Sequence, residues 1–254
     1  MHKRRVIQWY RTIVKALIDM DSFSHFCPEH TGMLITIAVA ATAGLLILRK
    51  SPDRHADTAA HILSVAVLIG ETVQDILLVS EGCDIMGFLP LHLCNLGIFV
   101  NLIASFSKNK VRSFFAEISL MLIMPGSVGA LLFPDWTYRP FWSYLPLLCF
   151  FTHSLTVFIP LLFLVRGKIH VSFRHLWYPY LFLLAVVPPV YLLDILAGQN
   201  YMFLMYPPQN SPLEWIYNLT GSGFYIAGLL LLITVILTAE YALAWVAKKI
   251  RKQN

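Results

Sequence analysis

Residues 142–165 read WSYLPLLCFFTHSLTVFIPLLFLV, and this stretch decides the fold. It contains no Asp, Glu, Lys or Arg. As an α-helix rising about 1.5 Å per residue, it outreaches a hydrocarbon layer roughly 30 Å thick. Further apolar stretches of the same kind lie at 33–48, 59–80, 87–107, 114–133, 177–197 and 220–246. Over all 254 residues, 57% are hydrophobic and only 13% charged, where a soluble domain carries about a quarter. The expected fold class is therefore all-α, a polytopic membrane helical bundle of about seven transmembrane helices. A soluble enzyme, a disulfide-stapled secreted module and a disordered tail are excluded.

The basic residues orient this bundle. Arg49, Lys50 and Arg54 lie in the first loop, Lys108, Lys110 and Arg112 in the third, and Arg166, Lys168 and Arg174 in the fifth. Lys248, Lys249, Arg251 and Lys252 lie in the tail, whereas loops two, four and six hold Arg139 alone. Cytoplasmic loops are the ones enriched in Lys and Arg. The expectation is a multi-pass plasma-membrane protein with loops one, three and five and the C-terminus cytoplasmic, and the N-terminus external. The basic residues form short flanks rather than an extended stripe with interleaved aromatics, so no nucleic-acid partner is expected.

Three regions follow: 1–32, a surface segment and external lead-in; 33–247, the bundle; and 248–254, a basic tail. Within the first, Val6, Ile7, Tyr10, Val14 and Leu17 recur at helical spacing, opposite Arg4, Gln8, Arg11, Lys15 and Asp19. This pattern predicts an amphipathic helix lying in the interface. The alternative, an eighth span, would put Arg11 and Lys15 at membrane depth, at a few kcal/mol each. The first 32 residues hold no uninterrupted apolar core, so a cleavable signal peptide is not expected.

Ionisable groups inside spans are costly and mark functional sites. Glu71, Gln74 and Asp75 in span two share one face, at i, i+3 and i+4. Span three opens with Leu89-Pro90-Leu91-His92-Leu93-Cys94-Asn95, and Asn101 follows one heptad after Cys94. Cys149 and His153 stand one turn apart in span five. Span six holds Pro188-Pro189, read as a kink, then Asp194, and is followed by Asn200-Tyr201. The orientation places these groups at one depth, in the outer half of the bilayer, as a polar cavity would require. Plainer roles stand beside these. His92 also suits a helix-capping position, Cys94 and Cys149 suit small packing residues, and Glu71 and Asp75 suit a structural pair. Asn101 suits an interhelical hydrogen bond, and Trp136, Trp142, Trp177 and Trp215 suit an interfacial belt.

A nucleophilic thiol needs a base, normally histidine. On a regular helix His92 points away from Cys94, about 200° around the axis. His153 is therefore the expected partner of Cys94, with Cys149–His153 as the competing pair. His92, Cys94, His153, Glu71 and Asp75, with His25 and His30, hold metal-ligand chemistry, but no HExxH or CxxC spacing occurs, and no metal or cofactor is assigned. Cys27 and Cys83 fall on the external side, where a disulfide is possible.

The segment LPLHLCN at 89–95 closely resembles the signature of the YwaF-type bacterial integral membrane proteins. So do Thr152-His153, the stretch Asn200-Tyr201-Met202-Phe203-Leu204, Pro207-Pro208 and Trp215-Ile216-Tyr217, over residues 23 to 245 in all. The resemblance implies a six- or seven-span plasma-membrane bundle. More distantly the chain is similar to eukaryotic membrane acyltransferases that remodel ether phospholipids, and to androgen-induced hydrolases of fatty-acid esters. In that branch a span cysteine is the nucleophile and a histidine two spans later its partner, positions matched here by Cys94 and His153.

Two functions are thus expected. One is a membrane-embedded acyltransferase or acyl hydrolase acting on a phospholipid or other acyl lipid, with catalytic Cys94 and His153. Asn95, Asn101 or Asn200 would serve the oxyanion, Glu71 or Asp75 would orient a histidine, and His92 and Tyr201 would support the site. The alternative is an ion- or solute-coupled carrier using Glu71 and Asp75, with Pro125-Gly126 and Pro188-Pro189 as helix breaks.

Overall fold

The computed structural model describes residues 22–253. The amphipathic segment expected at the N-terminus falls, up to residue 21, outside the described residues. The described residues form seven helices and no strand: α1 (Pro28–Arg49), α2 (Asp53–Ser80), α3 (Leu93–Phe106), α4 (Asn109–Leu132), α5 (Tyr144–Val165), α6 (Trp177–Ala197) and α7 (Leu213–Gln253). Six of them are long and apolar enough to cross a membrane, which embeds the chain in a bilayer as a helical bundle.

The exception is α3. Its 14 residues span about 21 Å, short of the roughly 30 Å of a hydrocarbon core. The continuous apolar run at 87–107 concealed this because hydropathy does not register chain direction. Pro90 disfavours helical backbone at Leu89, and Ile85–Phe88 is a 3-10 turn instead. At its C-terminal end, beside the basic third loop, the last carbonyls of α3 are satisfied by groups outside the helix. Arg112 does this, donating to Ser107 O at 2.8 Å and Ser105 O at 3.2 Å while pairing with Asp57 at 3.0 Å. His61 adds a bond from Nε2 to Ser105 O at 2.9 Å.

Small residues let the central helices approach closely, as membrane interfaces prefer. Ala56 and Ala60 of α2, Ala104 of α3 and Ala116 of α4 are buried around Ile159 and Leu162 of α5. Gly97 of α3 is the tightest point: a β-carbon there would come within 2.3 Å of Ile123 Cγ2. Ile123 ends a π-helical turn, Ser119–Ile123, within α4. Of the two expected irregularities, the one at Pro125-Gly126 adjoins this π-helical turn, which ends two residues before Pro125. α6 runs as one helix through Pro188 and Pro189, and α7 breaks at Gly221, whose φ 68° and ψ 171° suit glycine alone.

The two ends of the bundle are tied differently. At one end, Arg166 donates to Leu48 O, Arg49 O and the Asp53 carboxylate, joining loops one and five. His175 and Tyr241 close on buried Glu117 at 2.8 and 3.1 Å. At the other end the lead-in packs on loop four: Phe23 N–H donates to Thr137 O, His25 to Pro134 O and His30 to Leu131 O. His25 and His30 are therefore structural anchors, each bonded to a carbonyl. Arg139 pairs with Glu81 at 2.6 Å, holding the Glu81 carboxyl below its ordinary range. The four cysteines are free thiols, so Cys27 and Cys83 are not bridged.

Candidate functional site

Glu71 and Gln74 of α2 are buried and turned toward the bundle, whereas Asp75 is half-buried. Each meets a different neighbour. Gln74 Oε1 accepts a bond from the Cys149 thiol at 3.2 Å, and Glu71 Oε1 accepts one from Asn95 Nδ2. Asn95 in turn accepts the Cys94 thiol proton through Oδ1 at 3.1 Å. A chain of three side chains thus runs from α2 to the first turn of α3.

That first turn matters. α3 begins at Leu93 after His92, and no side chain caps it. The first amides of a helix have no intrahelical acceptor and lie at its positive end. The backbone N–H groups of Cys94 and Asn95 lie beside the thiol sulfur.

Across from it stands His153 of α5. Its Nδ1 lies 2.7 Å from the Cys149 carbonyl. A carbonyl only accepts, so Nδ1 carries the proton and Nε2 is left as a base. The imidazole is flanked by Trp136, with ring centroids 5.2 Å apart and planes at 36°. Trp136 was expected in the interfacial belt, but loop four folds back and buries it against His153 and Phe150. Trp142, Trp177 and Trp215 remain exposed.

One small cavity collects these groups. Val67 and Glu71 of α2, Cys94, Asn95 and Ile98 of α3, and Thr152, His153 and Thr156 of α5 line it. Cys94 and His153 share this cavity, while Cys149 is turned to Gln74. The thiol of Cys94 bonds Asn95 rather than His153 in this state.

Several expected site residues lie elsewhere. Asp75 is outside the cavity lining. Asn101 is fully buried deeper along α3, where its Oδ1 accepts from Ser119 and its carbonyl from Ser64 at 3.4 Å. Asn200 folds its own loop, accepting from Met205 N–H at 2.9 Å and donating to Tyr206 O at 2.8 Å. Tyr201 is buried against the same end, its N–H on Asp194 Oδ1 at 2.8 Å and its hydroxyl on Met86 O; burial pushes this phenol above its usual range. His92 stands just before α3 with extended backbone, φ −65° and ψ 151°, so helical rotation does not set its direction.

Sequence reasoning missed Thr152 and Thr156 as lining residues and Trp136 as the neighbour of the histidine. The i, i+4 spacing of Thr152 and Thr156 was a usable signal; the return of loop four was not. Among the described residues no three His, Cys, Asp or Glu side chains gather as a metal site.

Neither a curated protein nor a solved structure matches the chain. A family model does, over residues 25–241, which include the six apolar helices up to most of α7 and the whole cavity. The chain belongs to the TMEM164 family.

Proposed function

We propose that this protein is a membrane-embedded acyltransferase or acyl hydrolase of lipid esters, with Cys94 as nucleophile and His153 as its base. The observation that carries this reading is the shared cavity, lined both by a cysteine in the first turn of a helix and by a histidine whose Nε2 is unprotonated. In the reaction His153 Nε2 takes the Cys94 proton, and the sulfur forms a bond to the ester carbonyl carbon. The tetrahedral adduct collapses, the ester C–O bond breaks, and the leaving alcohol takes the proton from His153. An acceptor hydroxyl, of a second lipid or of water, then attacks the thioester, giving its proton to the same nitrogen and restoring the thiol.

Glu71 supports the nucleophile indirectly by fixing Asn95. The substrate class is a phospholipid or related acyl lipid, because the cavity lies among helices that face hydrocarbon. The basic loops at the opposite end of the bundle suit a cytoplasmic placement, which puts this cavity toward the outer leaflet of a plasma membrane, with the C-terminus cytoplasmic.

The test is an acyl-enzyme trap. Purified protein in nanodiscs is given a phospholipid with an alkyne-tagged acyl chain, and label released by neutral hydroxylamine is measured. Wild type and Cys149→Ala are expected to label, Cys94→Ala not at all, and His153→Ala at a rate lower by about 10²–10⁴. Hydroxylamine-sensitive label persisting in Cys94→Ala removes the nucleophile assignment. Absence of label in every form, together with solute uptake that depends on Glu71, points instead to a carrier.

A further inference from the structure

We propose that Glu71 is a further catalytic residue, whose second carboxylate oxygen holds the water that hydrolyses the acyl-enzyme, so that the acceptor of the acyl group is water. The inference rests on the reading of Cys94 as nucleophile and His153 as base, and adds to it the identity of the second nucleophile.

Glu71 is only 9% exposed, and a buried carboxylate oxygen calls for a hydrogen-bond donor. Asn95 Nδ2 supplies one at Oε1. No donor among the described residues reaches Oε2, yet this atom is not sealed off from a water-sized molecule. His153 has the same kind of vacant acceptor. Its Nδ1 is committed to the Cys149 carbonyl, and Nε2 is accessible and unpartnered among the described residues. Both side chains border the cavity that Cys94 also borders. The room in it is about that of a single water, so one small molecule there meets both acceptors.

The hydrogens of the other polar lining side chains are committed elsewhere. The Cys94 thiol donates to Asn95 Oδ1 at 3.1 Å, and Asn95 Nδ2 to Glu71. Thr152 donates to Cys149 O at 3.3 Å and Thr156 to Thr152 O at 2.9 Å. A molecule in the cavity thus finds two acceptors and no free side-chain donor. An ester has no hydrogen to give them, the hydroxyl of a second lipid has one, and water has two. With one hydrogen on His153 Nε2 and the other on Glu71 Oε2, the oxygen of water keeps its lone pairs for the thioester carbon.

In that step a lone pair of water forms the C–O bond to the thioester carbonyl carbon, and His153 Nε2 takes one hydrogen as a proton. The adduct collapses, the C–S bond breaks, and the sulfur recovers the proton from His153. The fatty acid leaves with the second hydrogen, which Glu71 orients and does not remove.

Isotope and acceptor competition test this in nanodiscs given the phospholipid with a tagged acyl chain, in H₂¹⁸O with added lysophospholipid. Wild type is expected to release tagged fatty acid carrying solvent ¹⁸O and to pass little label to the lysophospholipid. Glu71→Gln keeps an acceptor for Asn95 but puts an N–H donor in place of Oε2. It is expected to slow release about 10²-fold, so that hydroxylamine-sensitive label on Cys94 accumulates. A tagged hexadecyl iodoacetamide alkylates the same thiol by displacing iodide, with no water consumed, and is expected to react with Glu71→Gln at the wild-type rate. Alkylation and release falling together in Glu71→Gln, release not slowed in that variant, or wild-type label passing to lysophospholipid in preference to water overturns the proposal alone. Label that survives in Cys94→Ala, or label in no form of the protein, overturns the nucleophile reading and this proposal with it.

Discussion

The carboxylate of Glu71 on α2 accepts a hydrogen bond from the side-chain amide of Asn95 on α3, the residue that follows the candidate nucleophile. Two consecutive helices are thereby locked at the depth of the cavity, and the Asn95 oxygen is turned to the Cys94 thiol. Glu71→Gln keeps an acceptor for Asn95 and is expected to retain the fold. Glu71→Leu strands the buried amide and is expected to cost about 1–3 kcal/mol. Thermal unfolding in detergent checks the ordering, and equal melting of the two variants contradicts it.

Trp136 holds the His153 ring in place. Trp136→Ala is expected to lower stability by about 3–5 kcal/mol and to slow thiol alkylation by the iodoacetamide probe, because a loosened imidazole is a poorer base. Trp136→Phe should preserve more of both. Alkylation at the wild-type rate in a folded Trp136→Ala protein would show that the indole does not position the histidine.

Close approach at Gly97 sets the distance between α3 and α4. Gly97→Ala drives its β-carbon onto the rigid, buried Ile123 and is expected to destabilise by about 1–3 kcal/mol. Ile123→Val trims the far end of that side chain but keeps Cγ2, so it should rescue little. Ile123→Ala removes Cγ2 and should relieve the clash, a coupling that a double-mutant cycle measures.

Arg112 closes the C-terminal end of the short helix. Arg112→Leu leaves the carbonyls of Ser105 and Ser107 short of donors and Asp57 unpaired. The expected loss is about 2–4 kcal/mol. Hydrogen exchange should report it first at α3, and uniform protection along that helix in the variant would contradict the assignment.

The Glu81–Arg139 pair gives a signed pH dependence. Its carboxyl sits below the ordinary range because Arg139 donates to it. A depressed carboxylate contributes stability above its unfolded pKa and loses it as pH falls through the lowered folded value. Wild type and Glu81→Gln should therefore differ slightly in Tm near neutrality and converge in acid. A gap that widens on acidification contradicts the pairing.

Hydropathy and charge in the sequence alone determined the fold class, the number of apolar segments and which loops share an end. These are properties of composition along a line, and lipid imposes them directly. Cys94, His153, Glu71 and Asn95 were also legible, because charged and polar residues inside apolar runs are conspicuous. Tertiary structure alone decided which of them meet. Asp75 and Asn101 have the same residue types at plausible spacings, yet one is half-buried outside the cavity and the other bonds Ser119 deeper in the bundle. The shortness of α3 and the return of Trp136 to His153 depend on backbone direction, and the surroundings of His92 on Met202, 110 residues away. A one-dimensional pattern carries no record of either.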